Sequence, residues 1–125
     1  MALTITNEVR KAALDGALAL VSGGSFQLTN TAGGAGSELA SLPISSVGAA
    51  TTASPSVAVL SLTADSSVTA GTILGFNIKT SGAANRISGN VGTSGSDLNV
   101  TDNVIPGGAT SVSCPGGISI SLQLS

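Results

Sequence analysis

Hydrophobic and polar positions follow two different periods along this chain. Between Thr6 and Ser22 the period is helical: Val9, Ala13, Ala17, Leu20 and Val21 recur on one stripe, and Leu14 and Leu18 widen it. Arg10, Lys11 and Asp15 lie off that stripe. Thr6 is a ready N-cap, Glu8 puts a negative charge in the first turn, and Ser22-Gly23-Gly24 supplies the stop. The pattern predicts a helix over 6–22, weakened by about 1 kcal/mol at Gly16 relative to alanine, whose aliphatic stripe covers one face or the open end of a sheet; the alternative is an exposed docking element over 9–21.

After Gly24 the period becomes 2. Strands are predicted over 25–29, 38–44, 56–63, 71–79, 85–91, 98–101, 110–114 and 118–124. The last is the cleanest, because Ile118, Ile120, Leu122 and Leu124 alternate with Ser119, Ser121 and Gln123 and give one buried face. Turn residues punctuate the run at Ala32-Gly33-Gly34, Ala53-Ser54-Pro55, Thr80-Ser81-Gly82, Gly92 to Gly95, Pro106-Gly107-Gly108 and Pro115-Gly116-Gly117. Short strands with regular turns and no intervening helix predict an all-β chain, a jelly-roll-like β-sandwich with one N-terminal α-helix. Eight strands would suit two four-stranded sheets. At 125 residues, with no internal repeat and no linker, the expectation is a single domain over 1–125.

Composition sharpens this. Twenty serines and 13 threonines accompany 17 glycines, while only 8% of residues are charged and 2% aromatic. A linker-like glycine and serine content suggests disorder, but mean hydropathy is +0.48 and net charge only -2, so the chain has the apolar content to collapse. Its exposed surface must then be mostly hydroxyls and small side chains. So little charge leaves little repulsion between copies, and self-association is expected.

The same numbers exclude several function classes. Four basic residues cannot build a phosphate-neutralising surface, and Phe26 and Phe76 alone make a poor stacking platform, so no nucleic-acid partner is expected. With no histidine and one cysteine there is no ordinary zinc site and no Ser-His-Asp or Cys-His pair. Cys114, next to Pro115, reads as a small buried hydrophobe in a chain folded in a reducing cytoplasm. The apolar run 12–21 is interrupted by Asp15, so neither a signal peptide nor a membrane span is expected.

Three constellations invite chemistry. Asp97, Asn99, Asp102 and Asn103 offer oxygen ligands at a calcium-loop-like spacing, but without the glycine and terminal glutamate of an EF-hand; turn residues are the plainer reading. The stretch Gly92 to Asp97 has the glycines of a phosphate loop but no Lys-Thr/Ser ending and no following helix. Glu38 and Asp65 are the carboxylates a glycosidase reading would pair, with nothing in the sequence to bring them together. The chain is therefore read as non-enzymatic, with no cofactor and no metal.

The residues also resemble a known family. Thr4-Ile5-Thr6, the helix Val9 to Asp15 and Gly23-Gly24-Ser25 resemble the start of small capsid decoration, or cement, proteins of tailed phages, which have a jelly-roll-like β fold. Glu38 to Ile44 is similar to that family's second strand. The most specific match is Ser88-Gly89-Asn90-Val91-Gly92-Thr93-Ser94-Gly95-Ser96-Asp97-Leu98-Asn99, which resembles the family's Asp-Gly-Ser-Val-Gly-Thr-Ser-Gly-Ala-Asp-Leu-Asn stretch. Gly107 to Ser113 and Ile118 to Leu122 resemble its terminal hairpin. The chain departs from the family in keeping only Phe76 where aromatics are usual, and in the longer Cys114-Pro115-Gly116-Gly117 connection.

The resemblance implies a virion protein, made in the host bacterial cytoplasm, that binds the outer surface of the shell. Its partners would be the major capsid protein and further copies of itself, as homodimer or homotrimer, bridging neighbouring subunits to stabilise the mature head. The expected capsid or oligomer contacts are Leu3, Thr4, Ile5, Thr93, Ser94, Asp97 and Asn99, within the segments 2–8, 93–97 and 97–104. The alternative is a phage tail or fibre component binding a host surface receptor.

Overall fold

The computed structural model describes residues 4–122. One helix, α1 (Asn7–Ala19), precedes nine strands: β1 (Ser25–Thr29), β2 (Glu38–Val47), β3 (Ser56–Leu62), β4 (Gly71–Thr72), β5 (Gly75–Lys79), β6 (Asn85–Gly92), β7 (Leu98–Asn99), β8 (Val104–Ile105) and β9 (Ile118–Leu122). Seven of them form one curled sheet in the order β7-β6-β5-β1-β2-β3-β9, and β4 and β8 make a separate ribbon. The chain is thus all-β with a single N-terminal helix, as its patterning implies; the strands are distributed seven and two rather than four and four.

The curl is made by β2. Its first half pairs with β1 through Pro43↔Ser25, and its second half pairs with β3 from Ile44↔Leu62 onward, with the register broken between Ile44 and Ser46. An irregularity in a long strand bends it and increases its twist, so one strand turns the corner between the two halves of the sheet. Phe26, Leu28, Leu42, Phe76 and Ile78 face inward from one half and Ala58 and Leu60 from the other, in one continuous core. Phe26 and Phe76 are diagonal neighbours on adjacent strands, and their rings stack at 5.4 Å.

Thr6 caps α1 as expected, its Oγ1 accepting from Val9 N, and Gly23 ends the following turn at φ 74°. The buried face is only one side of the predicted stripe, Val21 with the widening residues Leu14 and Leu18. Leu14, Leu18 and Val21 are buried, whereas Val9, Ala13, Ala17 and Leu20 face outward. The two leucines and Val21, at i, i+4 and i+7, remove more apolar area from water than a stripe made largely of alanine, and the helix turns them onto β3 and β9. Asp15 fixes that rotation: its Oδ2 accepts from Lys11 Nζ at 2.6 Å and its Oδ1 from Ala50 N at 2.8 Å. The Lys11 bond first, and then the Ala50 amide, hold the Asp15 carboxyl below its ordinary value.

A methyl placed on Gly16 would meet nothing within 4 Å, and the residue lies inside the helix. Gly16→Ala should therefore raise stability by about 1 kcal/mol, visible as a higher urea midpoint with an unchanged slope; an unchanged or lower midpoint contradicts this account of the helix.

Three strand predictions need correction. The run 71–79 is two strands because the chain changes partner in its middle: Ile73 N donates to Asn103 O, and Leu74 N donates to Thr29 O. The segment 110–114 is not a strand and keeps only the bridge Asp65↔Val112, since Gly107-Gly108 and Pro115 confine it between turns. Its place is taken by β8, two residues opposite β4 that are too short to show a period. The predicted strand 98–101 shrinks to Leu98–Asn99, and residues 123–124 of the last one lie outside the described residues.

Candidate functional site

On the outer face of the sheet, a row of polar side chains runs across three adjacent strands: Gln27 on β1 is opposite Asn77 on β5, and Asn77 is opposite Ser88 on β6. Asn77 is buried because the loop 30–37 folds over it. Its Nδ2 donates to Gly34 O at 2.7 Å and to Gln27 Oε1 at 2.8 Å, and its Oδ1 accepts from Ser88 Oγ at 2.6 Å. Gln27 in turn donates to Glu38 Oε1 at 3.0 Å.

The same loop is tied to the next strand and the next turn. Gly33 N donates to Asn90 Oδ1 at 2.7 Å, and Asn90 N donates to Asp97 Oδ2 at 2.9 Å. Asp97 belongs to the turn 93–97, from which the chain enters β7 parallel to β6, with Val91↔Leu98 and Gly92↔Asn99 in register. Parallel neighbours ordinarily need a crossover of about a dozen residues. This one is made within the turn 93–97 because side chains replace the missing ladder bonds: Asp97 serves the Asn90 amide, and Asn99 Oδ1 accepts from Ser96 N at 3.0 Å. Loop 30–37, β6 and turn 93–97 therefore form one cross-linked rim.

Of the expected contact residues, Thr93, Ser94, Asp97 and Asn99 come together on this rim, all four exposed. Thr4 is exposed and Ile5 half-buried just ahead of α1, which packs on β3 and β9, at the other end of the strand order. Leu3 lies outside the described residues. The oxygen set read as calcium-like is divided among backbone partners: Asp102 Oδ1 accepts from Val104 N and Asn103 Nδ2 donates to Ile73 O, while Asp97 and Asn99 hold the turn. Among the described residues no three His, Cys, Asp or Glu side chains converge as a metal site would require.

Glu38 and Asp65 are likewise engaged apart. Glu38 meets Gln27, whereas Asp65 accepts from Ser41 N at 2.8 Å and from Ser67 N at 2.9 Å. Cys114 is half-buried against the core, with its Sγ donating toward Gly117 O at 3.4 Å. A cavity of about 180 Å³ lies between the inner face of the sheet and the segment 98–118, lined by Phe26, Leu28, Leu42, Val91 and Ile118 among others. Asp102 and Cys114 are the titratable groups on its wall, and the remaining lining is chiefly aliphatic. Every buried side-chain nitrogen and oxygen among the described residues has a hydrogen-bond partner.

Gln27 and Asn77 are absent from the sequence reading, and Ser88 and Asn90 enter it only as members of the stretch Ser88 to Asn99, with no role of their own. The available signal was Asn77 itself, a poor strand former between the apolar Phe76 and Ile78, which calls for a polar partner above the sheet. Among the described residues no helix is long and apolar enough to cross a membrane. No protein-family model, curated protein or solved structure matches the chain.

Proposed function

We propose that this is a non-enzymatic capsid decoration protein that binds the outside of a mature phage head, touches the major capsid protein and bridges adjacent subunits. The single observation that carries the reading is the rim built by loop 30–37, β6 and turn 93–97. It coincides with the most specific stretch of the resemblance, Ser88 to Asn99, and that stretch folds as one unit of strand, turn and strand.

The physical character of the rim supports the same reading. The Asp97 carboxylate and the Asn99 amide oxygen each accept from a backbone N–H of the rim itself. Thr93 and Ser94 present small hydroxylated side chains to the outside. A surface pre-ordered in this way loses little conformational freedom on binding. A copy that bridges two subunits holds on through individually weak contacts, because its second contact forms at high effective concentration once the first is made. Binding preferentially to the expanded shell is then sufficient for function, since a ligand shifts an equilibrium only by its differential affinity for the two states.

The test is co-sedimentation with expanded, undecorated capsids of the parent phage, with unexpanded procapsids as control. Saturable binding to expanded shells at a simple ratio to the major capsid protein is the expected result, and Asp97→Ala should weaken it by loosening the turn. Failure to bind either shell overturns the proposal, and binding to whole host cells instead would favour a tail or fibre role.

A further inference from the structure

The outward half of α1 is apolar and exposed. At 100° per residue, Val9, Ala12, Ala13, Gly16, Ala17, Ala19 and Leu20 cover half of the helix circumference, and all seven are exposed. Val9 is 49% and Leu20 57% exposed, although the inner face already has Leu14 and Leu18 for its core contact. No charge interrupts this half. The charges that flank it are both in the first turn, Glu8 on one side and Arg10 on the other; Asp15, farther round on the Glu8 side, is already held by Lys11 Nζ and Ala50 N.

We propose that this face is a self-association surface on which a second copy of the chain packs its own α1 side by side and parallel, about a two-fold axis running along the helices. The arrangement of charge selects both the occupant and its direction. In a parallel two-fold pair, opposite margins meet, so Glu8 of each copy lies beside Arg10 of the other, twice over. In an antiparallel pair, both charges would instead face residues 17–24, which carry none. Arg10 donates to Asn7 Oδ1 at 2.8 Å among its contacts, and a guanidinium with five N–H donors can serve several acceptors at once, a carboxylate across the axis included. Parallel packing puts two helix N-termini together, and a glutamate in each first turn offsets that cost.

Small residues let the helices approach closely. Along the seam Val9, Ala13, Gly16 and Leu20 each meet their own counterpart, and a Cβ on Gly16 has open space around it. A 13-residue helix is about 20 Å long, so the strip covers on the order of 300 Å² per copy. That is well under the ~800 Å² per partner of a standard stable interface. The pair is accordingly weak in free solution and gains strength where copies are held as neighbours. This pairing is independent of what the rim binds.

The experiment is disulfide trapping in the full chain carrying Cys114→Ser. Leu20→Cys is oxidised with diamide at protein concentrations up to about 1 mM, with Ser66→Cys, an exposed position away from α1, as the background rate. Parallel pairing puts the two Leu20→Cys sites across the axis, within the roughly 7 Å that a disulfide spans. Antiparallel pairing separates them by about 16 Å along the helices. Leu20→Cys should therefore couple at least tenfold faster than Ser66→Cys. Adding Glu8→Arg should slow it about threefold, and Glu8→Arg with Arg10→Glu should restore it. Circular dichroism checks that each variant is folded, which exposed positions on one helix permit. Coupling of Leu20→Cys no faster than background overturns the proposal, as does a slowed Glu8→Arg variant that the double exchange fails to rescue.

Discussion

Asn77→Leu should lower stability by about 3–5 kcal/mol, enough to unfold a large fraction of a marginally stable domain. Leucine has the same heavy-atom skeleton, so the side chain keeps its place while its hydrogen bonds are lost. Three groups lose their partner at once: Gly34 O beneath the covering loop, Gln27 Oε1 on β1 and the Ser88 hydroxyl on β6. A buried polar group left without a hydrogen bond costs about 1–3 kcal/mol, and Gly34 O is fully enclosed with Asn77. Branched carbon against the Gly34 backbone adds overpacking, typically about 1–3 kcal/mol. Urea unfolding followed by circular dichroism would show the loss as a fall in midpoint. Asn90→Ala is the comparison, because its bond to Gly33 N is exposed and should cost less than about 1 kcal/mol. If the two variants lose similar amounts, Asn77 is not what anchors loop 30–37 to the sheet.

Asn77 also marks the boundary of what local pattern can reveal. β1 is predicted residue for residue, because alternation within Ser25–Thr29 and the flanking Gly24 and Asn30 are all local. The start of β9 and the cap of α1 are legible for the same reason. The break at Ile73-Leu74 is not, because it is caused by Asn103 and Thr29, residues far away in the chain that supply the next acceptors. β8 is hidden likewise: two residues become a strand only because Gly71 and Thr72 are opposite them.

The helix shows how a correct element can carry a misplaced face. Helical spacing identifies α1, but the stripe it predicts is wide enough to hold two faces, one of alanine with Val9 and Leu20, the other of Leu14, Leu18 and Val21. The choice between them is a tertiary one, made where the larger side chains fill the space over β3 and where Asp15 meets Ala50. The candidate rim was legible in half. The turn residues Thr93, Ser94, Asp97 and Asn99 stand out by composition and by resemblance, whereas loop 30–37, which completes the rim, reads as an ordinary glycine turn until Asn77 and Asn90 hold it down.

The adjacent glycines after α1 should respond very differently to the same added methyl. Both read as a helix stop, and for Gly23 that reading suffices: at φ 74° it occupies the left-handed region, and an added Cβ would meet nothing within 4 Å. Gly23→Ala should therefore cost only the left-handed backbone penalty, about 1–2 kcal/mol. Gly24 is constrained by packing. Its carbonyl accepts from Ile44 N at 2.9 Å, its amide donates to Val21 O at 2.9 Å, and a Cβ would sit 1.8 Å from Lys79 O. The obstacle is main chain at the end of β5 and not a side chain that can swing away. Accommodating the methyl means separating β5 from the start of β1, where Ser25 pairs with Lys79, and so giving up ladder bonds next to the stacked phenylalanines. Gly24→Ala should cost more than about 3 kcal/mol, beyond the usual range of overpacking because backbone must move. Parallel denaturation of the two variants decides the matter. A Gly24→Ala loss no larger than that of Gly23→Ala would mean that the β1–β5 junction is looser than the register requires, and that the glycine pair serves only to end the helix.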